Sequence, residues 1–274
     1  MEQQLNTGLV AQGFWPKLWQ KWSIAIGTLP LLAAVALAKF LSHYFGWEIL
    51  ELNALFTSLV GGTIFLIGFL VAGVLSDYKE SEKIPSELTA SLKTLMDDTS
   101  TIHECKDTDA VHQFMVYQQT LTHDIWEWFM RRERTQTLLD KISGMNAFFV
   151  SFDKEGVPAN YIIKLKNEQS NLRRMLLRID TIRSTDFVAS AYAILEIMGL
   201  LIVGGLITIK IEPFNISLFF TLLITFLIAY MFLLIKCLDN PFDYSGHSKG
   251  GTMVSLKPLH DHLTQLDTIK TTEK

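Results

Sequence analysis

The stretch that most constrains this chain runs from Leu55 to Leu88, LFTSLVGGTIFLIGFLVAGVLSDYKESEKIPSEL. Leu55 to Leu75 carries no charge, and at 1.5 Å per residue it is roughly 31 Å long, the thickness of one hydrocarbon core. Ser76 to Lys83 then continues with strong helix formers and no breaker before Pro85. This predicts one long helix that leaves the bilayer and projects into the aqueous phase. Gly61, Phe65, Phe69 and Gly73 recur at i, i+4, i+8 and i+12, so one helical stripe alternates voids with rings. Such a stripe has two readings. It is ordinary packing between membrane helices, which small residues favour, or it lines a path in which the rings form a constriction.

Three further apolar stretches, 24–41, 187–209 and 218–235, have span length. The chain is 49% hydrophobic yet 19% charged, and apart from Lys39 and Glu196 the charge lies between and beyond these stretches. The expected architecture is therefore an all-α membrane protein with four transmembrane helices, two plus two, and a helical domain between the pairs. Its expected segments are an interfacial N-terminal helix (1–23), a first hairpin (24–75, spans 24–41 and 55–75) and a cytoplasmic helical domain (76–186). A second hairpin (187–235, spans 187–209 and 218–235) and a C-terminal segment (236–274) complete it.

Lysine and arginine set the orientation. Residues 76–186 hold 15 of the 24 basic residues, and Lys17, Lys21, Lys236, Lys249, Lys257, Lys270 and Lys274 flank the other inner ends. The loops 42–54 and 210–217 together hold only Lys210. Both termini and the central domain are thus expected in the cytoplasm. Trp15, Trp19 and Trp22 share a face ahead of the first span, as interfacial anchors do. Ala36-Leu37-Ala38 has the look of a signal-peptide cleavage box, but the lead-in before it is too long for that reading. Lys39, near the outer end of span one, is expected to snorkel to the headgroups.

Glu196 is the exceptional charge inside span three. Starting the span after it leaves roughly 20 Å, too short to cross, so Glu196 lies at the inner leaflet as an interhelical hydrogen-bonding group or as part of an ion path. Gly199, Gly204 and Gly205 point to close helix contact. Within 76–186, a helix is expected through Met96, then a long helix capped by Asp109 and running through Trp126-Glu127-Trp128 and Arg131-Arg132, an interruption at Gly144 and a turn at Gly156-Val157-Pro158. Arg173, Arg174, Arg178 and Arg183 lie near the membrane, facing anionic headgroups or walling an anion-attracting vestibule. Leu256, Leu259, Leu263 and Leu266 mark a short amphipathic helix that must dock on something.

No catalytic constellation stands out. The sequence has no HExxH, GxGxxG, phosphate-binding loop or GxSxG elbow. His103-Glu104-Cys105 diverge in direction on a helix, so no metal is expected there. Cys105 and Cys237 are expected as reduced thiols. Neither an enzyme nor a nucleic-acid partner is expected, and no cofactor.

Several of these features together resemble the bestrophins, a family of pentameric ion channels with a bacterial branch. The resemblance rests on the two-plus-two topology, on Gly68-Phe69 continuing into Tyr78-Lys79-Glu80-Ser81-Glu82, and on the Asn240-Pro241-Phe242 turn after the last span. Val254-Ser255-Leu256-Lys257-Pro258-Leu259 adds to it. The resemblance implies a homo-oligomer, a pentamer, conducting inorganic ions across the lipid bilayer, with anions such as chloride as the common cargo. It places a hydrophobic neck at Phe65 and Phe69, with Gly61 where the family carries a bulky apolar residue. Asp77, Glu80 and Glu196 become pore or vestibule candidates, and Asp77, Glu80 and Glu82 would attract cations. The acidic run that clasps calcium in animal members is missing after Phe242, so calcium gating is not expected. The alternative is a non-conducting membrane scaffold or sensor whose cytoplasmic helices bind a partner.

Overall fold

The computed structural model describes residues 14–184, 189–242, 244 and 252–272. Its helices are α1 (Phe14–Tyr44), α2 (Ala54–Ser81), α3 (Ile84–Cys105), α4 (Asp109–Phe129), α5 (Thr135–Lys154), α6 (Ala159–Ser184), α7 (Ala189–Thr208), α8 (Phe214–Asp239) and α9 (Lys257–Thr272). Among the described residues, α1, α2, α7 and α8 are long and apolar enough to cross a membrane. The protein is an all-α integral membrane protein.

These four helices bury small hydroxylated residues alongside apolar ones such as Ile67, Ile202 and Ile235. The membrane helices bury Thr28, Ser42, Thr63, Ser217, Thr221 and Thr225, while Leu29, Leu37, Phe219, Phe220, Leu223 and Leu227 face outward. Lipid is as apolar as leucine, so burying leucine brings little gain, whereas small hydroxylated residues let backbones approach closely. Three of their hydroxyls are satisfied within their own helix: Thr28 donates to the Ala25 carbonyl at 2.7 Å, Thr63 to that of Leu59 at 2.9 Å and Thr225 to that of Thr221 at 2.7 Å. Thr221 reaches the Leu206 carbonyl of α7 at 3.4 Å, whereas the buried Ser42 and Ser217 hydroxyls have no hydrogen-bond partner among the described residues. Gly205 is needed for the same closeness, because a Cβ there would overlap the Phe56 ring, and a Cβ at Gly199 would touch Ile228 at 3.4 Å. Gly204 differs from the expected set and faces open space.

The first span is not preceded by a separate interfacial helix within the described residues. α1 runs unbroken from Phe14 through Tyr44, with Pro16 in its first turn, where a missing N–H costs nothing. The rest of 1–23, residues 1–13, lies outside the described residues. At the other end of this bundle, the 45–53 and 209–213 connections are joined by a short parallel bridge, Leu50 to Ile209 and Glu51 to Lys210. Beneath it lies Lys39, and here the snorkelling expectation fails. Its side chain is fully buried and donates to the Ile209 carbonyl at 2.6 Å and to that of Ile207 at 3.3 Å. It also pairs with Glu48 at 2.8 Å. The loop from the second hairpin folds over the lysine before it can reach the headgroups.

α2 leaves the bundle and ends at Ser81, four residues before the expected breaker Pro85; Glu82 N–H closes it on the Tyr78 carbonyl at 2.9 Å. Pro85 sits in the first turn of α3, which it favours rather than breaks. α3 then runs to Cys105, beyond the expected Met96. Against it pack α4, α6 and α9, around a core that includes Leu88, Leu95, Phe114, Ile125, Trp128, Phe152, Leu176 and Phe242. Asp109 is the first helical residue of α4 rather than its cap; Thr108 takes the N-cap position without a side-chain capping bond, and α4 ends at Phe129, short of Arg131-Arg132. Gly144 does not interrupt α5. It lies mid-helix because the Tyr117 hydroxyl occupies the space its Cβ would take, 2.8 Å away, and donates to the Lys141 carbonyl at 2.5 Å. The turn at Gly156 is present, with φ +75°. The leucines at 256, 259, 263 and 266 are all buried, and α9 docks on α3 and α4.

Candidate functional site

The two sides of α2 differ sharply. Thr63, Ile67 and Val74 are buried against α7 and α8. Phe65 and Phe69 are 77% and 70% exposed. A Cβ at Gly61, Gly62 or Gly68 would meet nothing within 4 Å. No described element of the chain covers this stripe, so its rings are not packed between helices of this chain. Ile67, two residues from each Phe, points about 200° away from both, which is why burying the one leaves the others bare.

Below Phe69 the helix turns polar. Glu80, eleven residues on, returns to within about 20° of Phe69, whereas Asp77 stands roughly 80° aside. Both are exposed. Glu80 pairs with Arg178 of α6 at 3.3 Å, so an arginine from the helical domain meets the lower end of the stripe. The expected arginine cluster is otherwise dispersed. Arg173 donates to Ser143 at 3.1 Å and Arg174 to Asn171 at 3.3 Å. Arg183 caps the end of α4, donating to the Phe129 carbonyl at 3.0 Å and lying 4.5 Å over the Trp128 ring.

Glu196 is not brought to this face. It lines a cleft of about 430 Å³ between α1, α7 and α8, with Gly27, Thr28, Gly199 and Thr225. Ile67 reaches the same cleft from α2, which puts Glu196 on the side of α2 opposite the rings. Asn240, Pro241 and Phe242 end α8. The Phe242 ring is fully buried, 6.3 Å from that of Phe129, and Val254 N–H donates to the Pro241 carbonyl at 3.0 Å. The turn thus ties the end of a membrane helix into the core of the helical domain. Asp243 and Gly250-Gly251 lie outside the described residues.

No known family model and no curated protein matches the sequence. Solved structures do match. A bacterial bestrophin homologue from Klebsiella pneumoniae, solved as a point variant, superposes with a TM-score of 0.73 at 15% identity, covering 89% of this chain and 98% of that one. The chain has the bestrophin fold. The Klebsiella homologue phased from zinc gives a TM-score of 0.70 at 14% identity, over 87% of this chain and 95% of that one. A point variant described as a membrane protein gives 0.70 at 13% identity, over 91% and 98%. Coverage this complete extends the bestrophin-like fold over α3 to α6, where the sequence offered only helicity.

Sequence reasoning missed the Lys39–Glu48 pair. The available signal was a lysine near a span end followed by an acidic residue in a short loop. It did not reveal that Ile207 and Ile209 would supply the other two partners.

Proposed function

We propose that the chain is one subunit of an oligomeric ion channel, a pentamer, in which the bare face of α2 lines the central path. The observation that carries this reading is the exposure of Phe65 and Phe69 on a face that no described part of the chain covers, behind which the threonines are buried. Five copies about one axis bring five rings to each level. Such a ring of phenyl groups disfavours water, so conduction requires widening or wetting of the neck. Gly61 makes the level above it wide. Glu80, with Arg178, and Asp77 belong to the vestibule below. Glu196 is left out of the path, because within the subunit it lines the opposite cleft.

Both termini and α3–α6 are assigned to the cytoplasmic side by the Lys/Arg asymmetry, and the membrane is assigned as a bacterial inner membrane on the likeness to bacterial homologues. With Met130→Cys and Glu51→Cys, a membrane-impermeant thiol reagent applied to intact cells should label only the latter. The conducted ion is assigned as an anion such as chloride, on the sequence resemblance. Asp77 and Glu82 oppose that sign and would favour a cation if unscreened. Purified protein in liposomes, assayed in parallel for chloride and potassium flux, tests both points. Flux of either ion supports a channel and fixes its sign. An intact oligomer that passes neither would overturn conduction and support a scaffold or sensor instead.

A further inference from the structure

A second chemical feature lies at the far end of α3 from the membrane helices. α3 begins just after α2 and spans 22 residues, so its last turn lies roughly 33 Å farther along. His103 is in that last turn, His112 is in the first turn of α4, and Asp107 is in the connection between them. One oxygen of Asp107 is 3.3 Å from His103 Nδ1 and 2.8 Å from His112 Nε2. One ligand atom from each residue falls within 4.8 Å of the other two. The imidazole rings meet edge to face, with centroids 4.5 Å apart. His103 Nδ1 is shielded from solvent but makes no aligned hydrogen bond.

The connection is held on both sides of Asp107. Its two neighbours turn to the opposite side and grip Glu155: Lys106 donates to the Glu155 carbonyl, and the Thr108 hydroxyl donates to the Glu155 carboxylate at 2.6 Å. Lys106 N–H also closes α3 on the Ile102 carbonyl at 2.7 Å. Asp107, between them, keeps its carboxylate 70% exposed beside the two rings.

We propose that His103, Asp107 and His112 bind a divalent first-row transition-metal ion, of which zinc is the best match. Two imidazoles and one carboxylate form a donor set suited to zinc, cobalt, nickel or copper. Calcium and magnesium need more oxygens than this cluster offers. Zinc–nitrogen and zinc–oxygen bonds of about 2.0–2.2 Å put tetrahedral ligands roughly 3.3 Å apart. The three side chains therefore close on an ion with a shift of about an ångström, which the half-exposed His112 can make by rotation. Three protein ligands leave the remaining position to solvent. A bound ion would tie the end of α3 to the start of α4 and stabilise the folded chain by mass action. This inference is independent of conduction.

The test uses the full chain in detergent with any affinity tag removed. Cobalt(II) titration followed by visible d–d absorption should show one saturable site per chain, displaced by zinc. Asp107→Asn and His112→Ala should each weaken it by about tenfold or more. Both variants should melt like the parent protein in the presence of chelator, and zinc should raise the melting temperature of the parent only. Cys105→Ser should bind as the parent does, separating the site from the neighbouring thiol. Absence of saturable binding, or binding that survives both Asp107→Asn and His112→Ala, would overturn the proposal.

Discussion

Lys39 Nζ lies 2.8 Å from a Glu48 carboxylate oxygen, with the lysine side chain fully withdrawn from solvent and that of Glu48 only 9% exposed. Together with the Ile207 and Ile209 carbonyls, this pair locks the loop of one membrane hairpin to that of the other. Removing one partner of a buried pair costs more than the pair itself contributes, because the other charge stays buried. Lys39→Met should therefore destabilise the chain by about 3–5 kcal/mol. Adding Glu48→Gln should recover part of the loss. Thermal melting of the three variants measures this, and an additive double variant would show that the two residues do not interact.

The same pair gives a pH dependence. Burial alone would raise the Glu48 pKa, but Lys39 and then His43 outweigh it and hold the carboxyl below its ordinary 4.5. A lowered acid contributes stability above its unfolded value and loses it as pH falls through the folded one. The loop lock should thus persist at about pH 5 and fail only in stronger acid. Amide exchange in 45–53 as a function of pH checks it, and loosening at neutral pH would contradict it.

His262 titrates in the other range. Burial, then Lys93, lower its pKa from 6.5, with Asp97 opposing. Its neutral form belongs to the folded state, so stability is complete above 6.5 and declines as pH falls toward the lowered value. Amide protection of α9 should drop between about pH 7.5 and pH 5.5, and His262→Gln should flatten that change. Equal protection at both pH values would show that α9 docks regardless of this residue.

Two glycines of the membrane helices separate packing from openness. Gly205→Ala drives a methyl into the Phe56 ring and should cost about 1–3 kcal/mol. Gly61→Ala meets nothing within its own chain and should leave melting unchanged. Phe242→Ala, in the core of the helical domain, should cost about 3–5 kcal/mol. A small effect there would mean that the turn after α8 does not anchor the C-terminal segment.

The membrane helices were legible because lipid imposes length and apolarity on every span, and α2 was read almost whole. What escaped were features that depend on a second segment. Lys39 looks like a snorkelling residue until the 207–209 backbone lies over it. Gly144 reads as a break until Tyr117 fills its missing side chain. His103, Asp107 and His112 are spaced four and five apart, which means nothing until the turn at 106–108 sets their directions. The stripe of Gly61, Phe65 and Phe69 was visible as periodicity. That it is bare follows only from where α7 and α8 pack.

The most direct measurement is single-channel recording of Phe65→Ala/Phe69→Ala in planar bilayers. If both rings face the axis of an oligomer, each substitution is repeated in every subunit, and a wider, wetter constriction should open more often and select less well. The bare rings touch little of their own chain, so melting of the subunit should change little. A double variant that assembles normally and conducts no better than the parent would contradict the neck.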